Sequence, residues 1–192
     1  LDALTGLGHE VSVVTHSDFD DAEQSEELRD LATRAPRVRG FVMRGRPRSL
    51  TSNADMLRFG IGSRLRSDLV HLQESPDWRV PIATGAWPGR FALTVHDPIP
   101  HLGDEFGSRY AKVTAAVRRR ASLIFTHGED LADQLRELGG LGGPVMSIPH
   151  GTSSSGFTPF SEGPPRILFF GRIVEYKGLH VLLEALSMIW ES

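Results

Sequence analysis

Gly171-Arg172-Ile-Val-Glu-Tyr-Lys177-Gly178 places an arginine and a lysine five residues apart behind a glycine. Four apolar residues, Ile167 to Phe170, precede this turn and read as a short, fully buried strand. Leu179, Leu182, Leu183 and Leu186 follow it at helical spacing. Strand, cationic turn and helix together make an arrangement that holds a phosphate. Glycine lets the backbone approach closely, the helix N-terminus offers free N–H groups, and two cations neutralise the charge. The chain has 21 basic residues, and only Lys112 and Lys177 are lysine. The two cation types suit different tasks: a guanidinium fork grips one face of a diphosphate, and a compact ammonium reaches between oxygens. The competing reading of Lys177 is an ordinary surface lysine at a helix start.

A second set of polar residues lies in Phe91-Ala-Leu-Thr-Val-His-Asp-Pro-Ile-Pro-His. Here His96, Asp97 and His101 come just past the carboxyl end of a strand, and the prolines keep the segment out of a helix. His96 is suited to hydrogen-bond a substrate hydroxyl or to share a proton with it near neutral pH. The alternative is that His96 and Asp97 cap and rigidify a turn. A metal site built from His96, Asp97 and His101 is conceivable, but no matching cluster of ligands occurs elsewhere, so no metal is expected. Phe125-Thr-His-Gly-Glu-Asp and Pro149-His-Gly also end strands with polar residues. Thr126 or Glu129 would cap the helix after the first of these. His127 and His150 would line the same cleft, although each taken singly reads as structural.

The elements that position these groups alternate between strand and helix. Leu1, Leu4 and Leu7 end a helix stopped by Gly8, and a strand follows at Val11–Thr15. An acidic helix is expected over 22–33, a strand at Val38–Met43, a helix over 53–66 and a strand at 68–72. Further strands fall at Phe91–Val95, Ser122–Thr126 and Val145–Ile148, with helices over 105–119 and 130–138. This alternation predicts an α/β fold: a Rossmann-like parallel sheet with helices on both faces, binding ligands beyond the strands' carboxyl ends. Residues 151–165 are rich in Ser, Gly and Pro and read as an interdomain connection. The expected domains are residues 1–155, a linker over 156–165, and the start of a second Rossmann-like domain over 166–192.

Composition narrows the function classes. The chain has 192 residues, 40% hydrophobic and 23% charged, with net charge −3. That is ordinary for a globular protein and gives no sign of a nucleic-acid binder. The absence of cysteine excludes disulfides and thiolate metal sites and fits a reducing compartment. No apolar run is long enough to span a bilayer, and no signal peptide is visible. Charge is unevenly placed. Residues 1–33 hold nine acids against Arg29, and residues 34–66 hold nine arginines against Asp55. The second block, at +8, is interleaved with apolar residues. It reads either as a surface for an anionic lipid or acceptor, or as a solvated face pairing with the acidic block.

Taken in order, these pieces resemble the family 4 (group 1) glycosyltransferases, which have the GT-B fold. The resemblance rests on Gly8-His-Glu-Val-Ser-Val-Val-Thr, Val95-His-Asp-Pro-Ile-Pro-His, Ile148-Pro-His-Gly, and Leu168-Phe-Phe-Gly-Arg-Ile-Val-Glu-Tyr-Lys-Gly-Leu with its Leu-Leu-Glu-Ala-Leu helix. It implies an N-terminal domain for the acceptor and a C-terminal domain for a nucleotide-diphosphate sugar. Arg172 and Lys177 match the basic pair that holds the leaving diphosphate, Gly171 the turn glycine, and His96 the histidine near the transferred sugar. Asp97, His101, His127 and His150 become possible cleft or acceptor contacts. Transfer would retain anomeric configuration and need neither metal nor cofactor, because two fixed cations oppose the leaving-group charge.

The resemblance further implies partners and place: a nucleotide sugar, a glycan or lipid-linked acceptor, and an anionic membrane surface met through residues 34–66. The location would be cytoplasmic, peripheral on the inner face of the plasma membrane. The family's first glycine-rich turn would lie upstream of Leu1, and its donor-site glutamate pair downstream of Ser192. Both ends are therefore expected to be truncated, and residues 1–192 alone are expected to transfer no sugar. Two other readings remain at this point: a non-catalytic GT-B-like binding or accessory module, and another GT-B enzyme such as a nucleotide-sugar epimerase.

Overall fold

The computed structural model describes residues 2–16, 38–41, 49–75, 77–87, 91–99, 107–151, 166–171 and 173–190. The expected acidic helix over 22–33 and the whole of the expected linker over 156–165 lie outside them, as do His101 and Arg172. The chain divides into two compact units. The first comprises Leu1–Val70 with Arg79–Arg90, the second His71–Trp78 with Phe91–Ser192.

In the first unit, α1 (Asp2–Gly6) ends as anticipated, with Gly8 at a positive φ of 86°. That left-handed turn is open to glycine at little steric cost. Strand β1 (Val13–His16) pairs in parallel with β2 (Val38–Phe41), Val13 opposite Val38. Helix α2 (Leu50–Arg66) begins three residues earlier than its apolar pattern suggests. The cause is Ser49, whose side-chain oxygen accepts the Ser52 N–H at 3.2 Å and satisfies a donor the helix leaves free. A five-residue helix, α3 (Val80–Thr84), was not foreseen; it starts around a proline and is too short to show a period.

Helices α2 and α3 meet through Gly60. A Cβ there would stand 2.7 Å from the Ala83 carbonyl oxygen and 2.9 Å from its Cα, both backbone atoms with nowhere to move. The buried Trp87 completes this contact. Its indole N–H donates to the Gly60 carbonyl at 2.6 Å, and Phe59 meets its ring edge-on at 5.9 Å.

The second unit holds a four-stranded sheet in the order β3-β4-β5-β6. The strands are β3 (Val70–Gln73), β4 (Phe91–Val95), β5 (Leu123–Thr126) and β6 (Val145–Ser147). Strands β4 and β5 pair in parallel, as do β5 and β6. Every residue of β4 is buried, as a central parallel strand covered on both faces requires. Burying Phe91, Leu93 and Val95 contributes about 1.5–3 kcal/mol each. The one polar side chain in β4, Thr94, is paired: its hydroxyl lies 2.8 Å from His71 Nε2. Partial desolvation of the ring holds the His71 imidazole below its ordinary pKa.

Helices α4 (Gly107–Arg118) and α5 (Glu129–Leu138) belong to the same unit. Helix α5 buries Ala132 and Leu135 against the strands and leaves Arg136 outside, bonded to Glu129 and Asp133. Its N-cap is Gly128, with no side-chain cap. Thr126, expected as a cap, instead donates its hydroxyl to the Gly128 carbonyl at 3.2 Å.

Residues 166–170 differ from expectation. They pair with no described strand, and Ile167, Leu168 and Phe170 are exposed. An apolar run signals a need for cover, but a strand forms only where a neighbour takes up its backbone hydrogen bonds. The helix predicted after it is present as α6 (Leu179–Trp190), with Leu179, Leu182 and Leu186 half-buried and Leu183 exposed.

Gly60→Ala tests the α2–α3 contact. Better helix propensity offers at most about 1 kcal/mol, whereas overpacking a rigid contact costs about 1–3 kcal/mol. Urea denaturation should show a net loss of about 1–2 kcal/mol. A variant as stable as the parent would contradict the close approach.

Candidate functional site

Parallel strands in register bring the residues that follow them to one edge of the sheet. Val95 is opposite Thr126, and Thr126 is opposite Ser147. The residues after β4 and β5, His96 and His127, are therefore neighbours, and the short extension after β6 brings in His150. The rings of His96 and His127 lie 5.4 Å apart at 37°. Those of His127 and His150 lie 4.5 Å apart at 53°. Three of the sequence-selected histidines thus form a continuous row of imidazoles at the carboxyl ends of three adjacent strands.

Each ring has a distinct environment. His96 is exposed, and its Nε2 lies 2.9 Å from the Gln73 carboxamide oxygen at the end of β3. His150 donates from Nδ1 to the Gly151 carbonyl at 2.9 Å. His127 is half-buried, and its buried Nδ1 has no hydrogen-bond partner among the described residues. Such an atom is costly to leave unpaired in an apolar setting. Asp97 is exposed, beside His96. No group of three or more His, Asp or Glu among the described residues is arranged to hold a metal ion.

The turn carrying His96 is fixed by a group that the sequence reading did not select. Arg118, in the last turn of α4, pairs with Glu74 through two hydrogen bonds, Nε to Oε1 at 2.8 Å and Nη2 to Oε2 at 2.7 Å. Its Nη1 donates to the Pro98 carbonyl at 3.0 Å, and Nη2 also reaches the Asp97 carbonyl at 3.4 Å. Both charged side chains are almost fully buried, at 8% and 4% exposure. One guanidinium therefore ties the residue after Gln73 to the two residues after His96.

A signal for this role was present. Thr114, Val117 and Arg118 are buried, and their spacing of three and four residues marks one inward helical face. Within Arg118-Arg119-Arg120, that phase singles out the first arginine. Glu74 carries no such mark, because it follows its strand in an irregular segment.

The second cluster is the turn around Gly171. Gly171 has a φ of +111°, a conformation open to glycine. Lys177 ends a 3-10 turn (Glu175–Lys177) and is exposed, with Nζ 5.1 Å from the Tyr176 ring centre. Gly178, in the left-handed conformation, links this turn to α6, accepting the Leu182 N–H at 3.0 Å. Arg172 and His101 lie outside the described residues, so the arginine–lysine pair has no measured geometry.

The profile of Glycosyltransferase Family 4 matches residues 1–155. The chain belongs to that family. Its α/β fold, with the parallel four-stranded sheet, is that of a Rossmann-like GT-B N-terminal domain. The matched residues include the imidazole row, Gln73, Glu74 and Arg118, but not the Gly171–Lys177 turn. No curated protein and no solved structure matches the chain.

Arg118→Ala would leave the Glu74 carboxylate buried without its counter-ion. Breaking a buried pair in this way costs about 3–5 kcal/mol. Chemical denaturation of the variant should show a loss of that size. A loss below about 1 kcal/mol, typical of an exposed pair, would contradict the clamp.

Proposed function

We propose that this family 4 glycosyltransferase chain belongs to a retaining, metal-independent enzyme. It moves a sugar from a nucleotide-diphosphate sugar to a hydroxyl of a glycan, lipid-linked or small-molecule acceptor. The observation that carries the reading is the imidazole row at the carboxyl edge of the sheet, where doubly wound folds present ligand contacts. In this reading residues 1–155 form the acceptor-side domain, 156–165 a connection, and 166–192 the start of the donor-side domain.

The bond between the anomeric carbon and the terminal phosphate oxygen breaks, and its electron pair stays on that oxygen. Arg172 and Lys177 oppose the charge that builds there, so they stabilise the transition state more than the ground state. The acceptor hydroxyl oxygen forms the new glycosidic bond on the same face. Its proton passes to the departing diphosphate oxygen, which lies on that face. His96 hydrogen-bonds a hydroxyl of the sugar and orients it. Asp97, His101, His127 and His150 face the acceptor.

The test is turnover in the protein as its gene encodes it. Arg172→Ala and Lys177→Ala should each lower kcat about 100-fold, the scale of removing one preorganised charge-stabilising group. His96→Ala should lower it substantially while the fold persists. Wild-type rates in all three would sink the site assignment.

We also propose that residues 34–66 meet an anionic membrane surface on the cytoplasmic side. In helix α2, Leu57, Ile61 and Leu65 are exposed at intervals of four residues, beside the exposed Arg58, Arg64 and Arg66. No helix among the described residues is long and apolar enough to cross a membrane. An apolar stripe beside arginines is the chemistry of interfacial attachment. At low salt the protein should co-sediment with phosphatidylserine-containing vesicles and not with neutral ones, and salt should release it. Equal sedimentation with both would contradict the proposal.

A further inference from the structure

We propose that Gln73 is a positioning residue for His96, fixing its imidazole as the Nε2–H tautomer and leaving Nδ1 as a lone-pair acceptor for a substrate hydroxyl. This role rests on the reading of His96 as a sugar contact.

The chemistry follows from the atoms that meet. Gln73 Oε1 lies 2.9 Å from His96 Nε2, and a carboxamide oxygen accepts hydrogen bonds without donating them. With the carboxamide oxygen facing the ring, the proton sits on Nε2, and in the neutral ring Nδ1 is then the acceptor. A sugar hydroxyl needs such a partner: a fixed lone pair orients its O–H. The opposite tautomer would offer an N–H at the same place and favour a different rotamer of the hydroxyl.

Three features hold the pair. Gln73 is the last residue of β3, next to β4 in the sheet, and the adjoining Glu74 N–H donates to the Thr94 carbonyl at 2.9 Å. Arg118 bonds to Glu74 on one side and to the Asp97 and Pro98 carbonyls on the other. The backbones next to both residues therefore share one anchor. Finally, the His96 ring lies 5.4 Å from that of His127, so turning the imidazole would disturb a ring contact as well as break a hydrogen bond. An exposed pair would ordinarily exchange its partner for water at little cost. Here both backbones are fixed in advance, which lowers the entropy lost when the bond forms.

The experiment uses the whole encoded protein and two variants. Gln73→Met keeps the length and shape of the side chain and removes the acceptor; Gln73→Glu restores an acceptor oxygen. Long-range ¹⁵N–¹H correlation spectra at mildly alkaline pH report the tautomer, with the His96 signals assigned by their loss in His96→Asn. The parent and Gln73→Glu should show His96 protonated on Nε2, and Gln73→Met a mixture of tautomers. Gln73→Met should lower kcat up to about tenfold, the worth of one such hydrogen bond, with the donor KM changed little and Gln73→Glu closer to the parent. An unchanged tautomer in Gln73→Met overturns the proposal, and so does a changed tautomer with unchanged kcat. Full turnover in His96→Ala overturns both the sugar contact and the role built on it. Loss of turnover in His96→Ala with parental behaviour in Gln73→Met overturns the role of Gln73 alone.

Discussion

Arg118 leaves the last turn of α4 and grips Glu74 with two short hydrogen bonds, while its remaining donors take the carbonyls of Asp97 and Pro98. Burying two charges is expensive, and their attraction offsets that cost only when the geometry is good and the surrounding hydrogen bonds are made. Both conditions are met. The return is definition more than stability: Asp97 and Pro98 lie in an irregular segment past a strand, where no ladder fixes the backbone. The guanidinium supplies the fixed points that the sheet stops supplying at Val95.

The geometry at the sheet edge depends on that definition. His96 keeps its 2.9 Å contact with Gln73 only if the two backbones keep their separation. Parallel register does the rest, setting His96 beside His127 and bringing His150 within ring contact. The fully buried β4 makes this register robust, because shifting a strand buried on both faces would disrupt packing on either side at once. Core packing and site geometry are therefore two consequences of one arrangement.

How far this was legible in the sequence varied with the kind of signal. Strand β4 was read to the residue, because an unbroken apolar run between polar segments has few alternatives. The start of α2 was misplaced by three residues, since a serine cap lies outside the apolar period. Helix α3 was missed, being one turn long and stabilised by tertiary contact with Gly60. Residues 167–170 were read as a buried strand, but Ile167, Leu168 and Phe170 are exposed. Hydrophobicity states a preference for burial and says nothing about whether a partner strand is present.

The sequence by itself determined the α/β alternation, the family, and the polar residues placed after the strands, because each is written in local period or motif. It named His96, His127 and His150 one at a time and left each open to a structural reading. Only the tertiary structure made them a row, paired Arg118 with Glu74, and set Gln73 against His96. The physical reason is range. Periodicity and caps act over a few residues, whereas Arg118 and Glu74 are 44 residues apart and meet only because adjacent parallel strands and a packed helix bring them together.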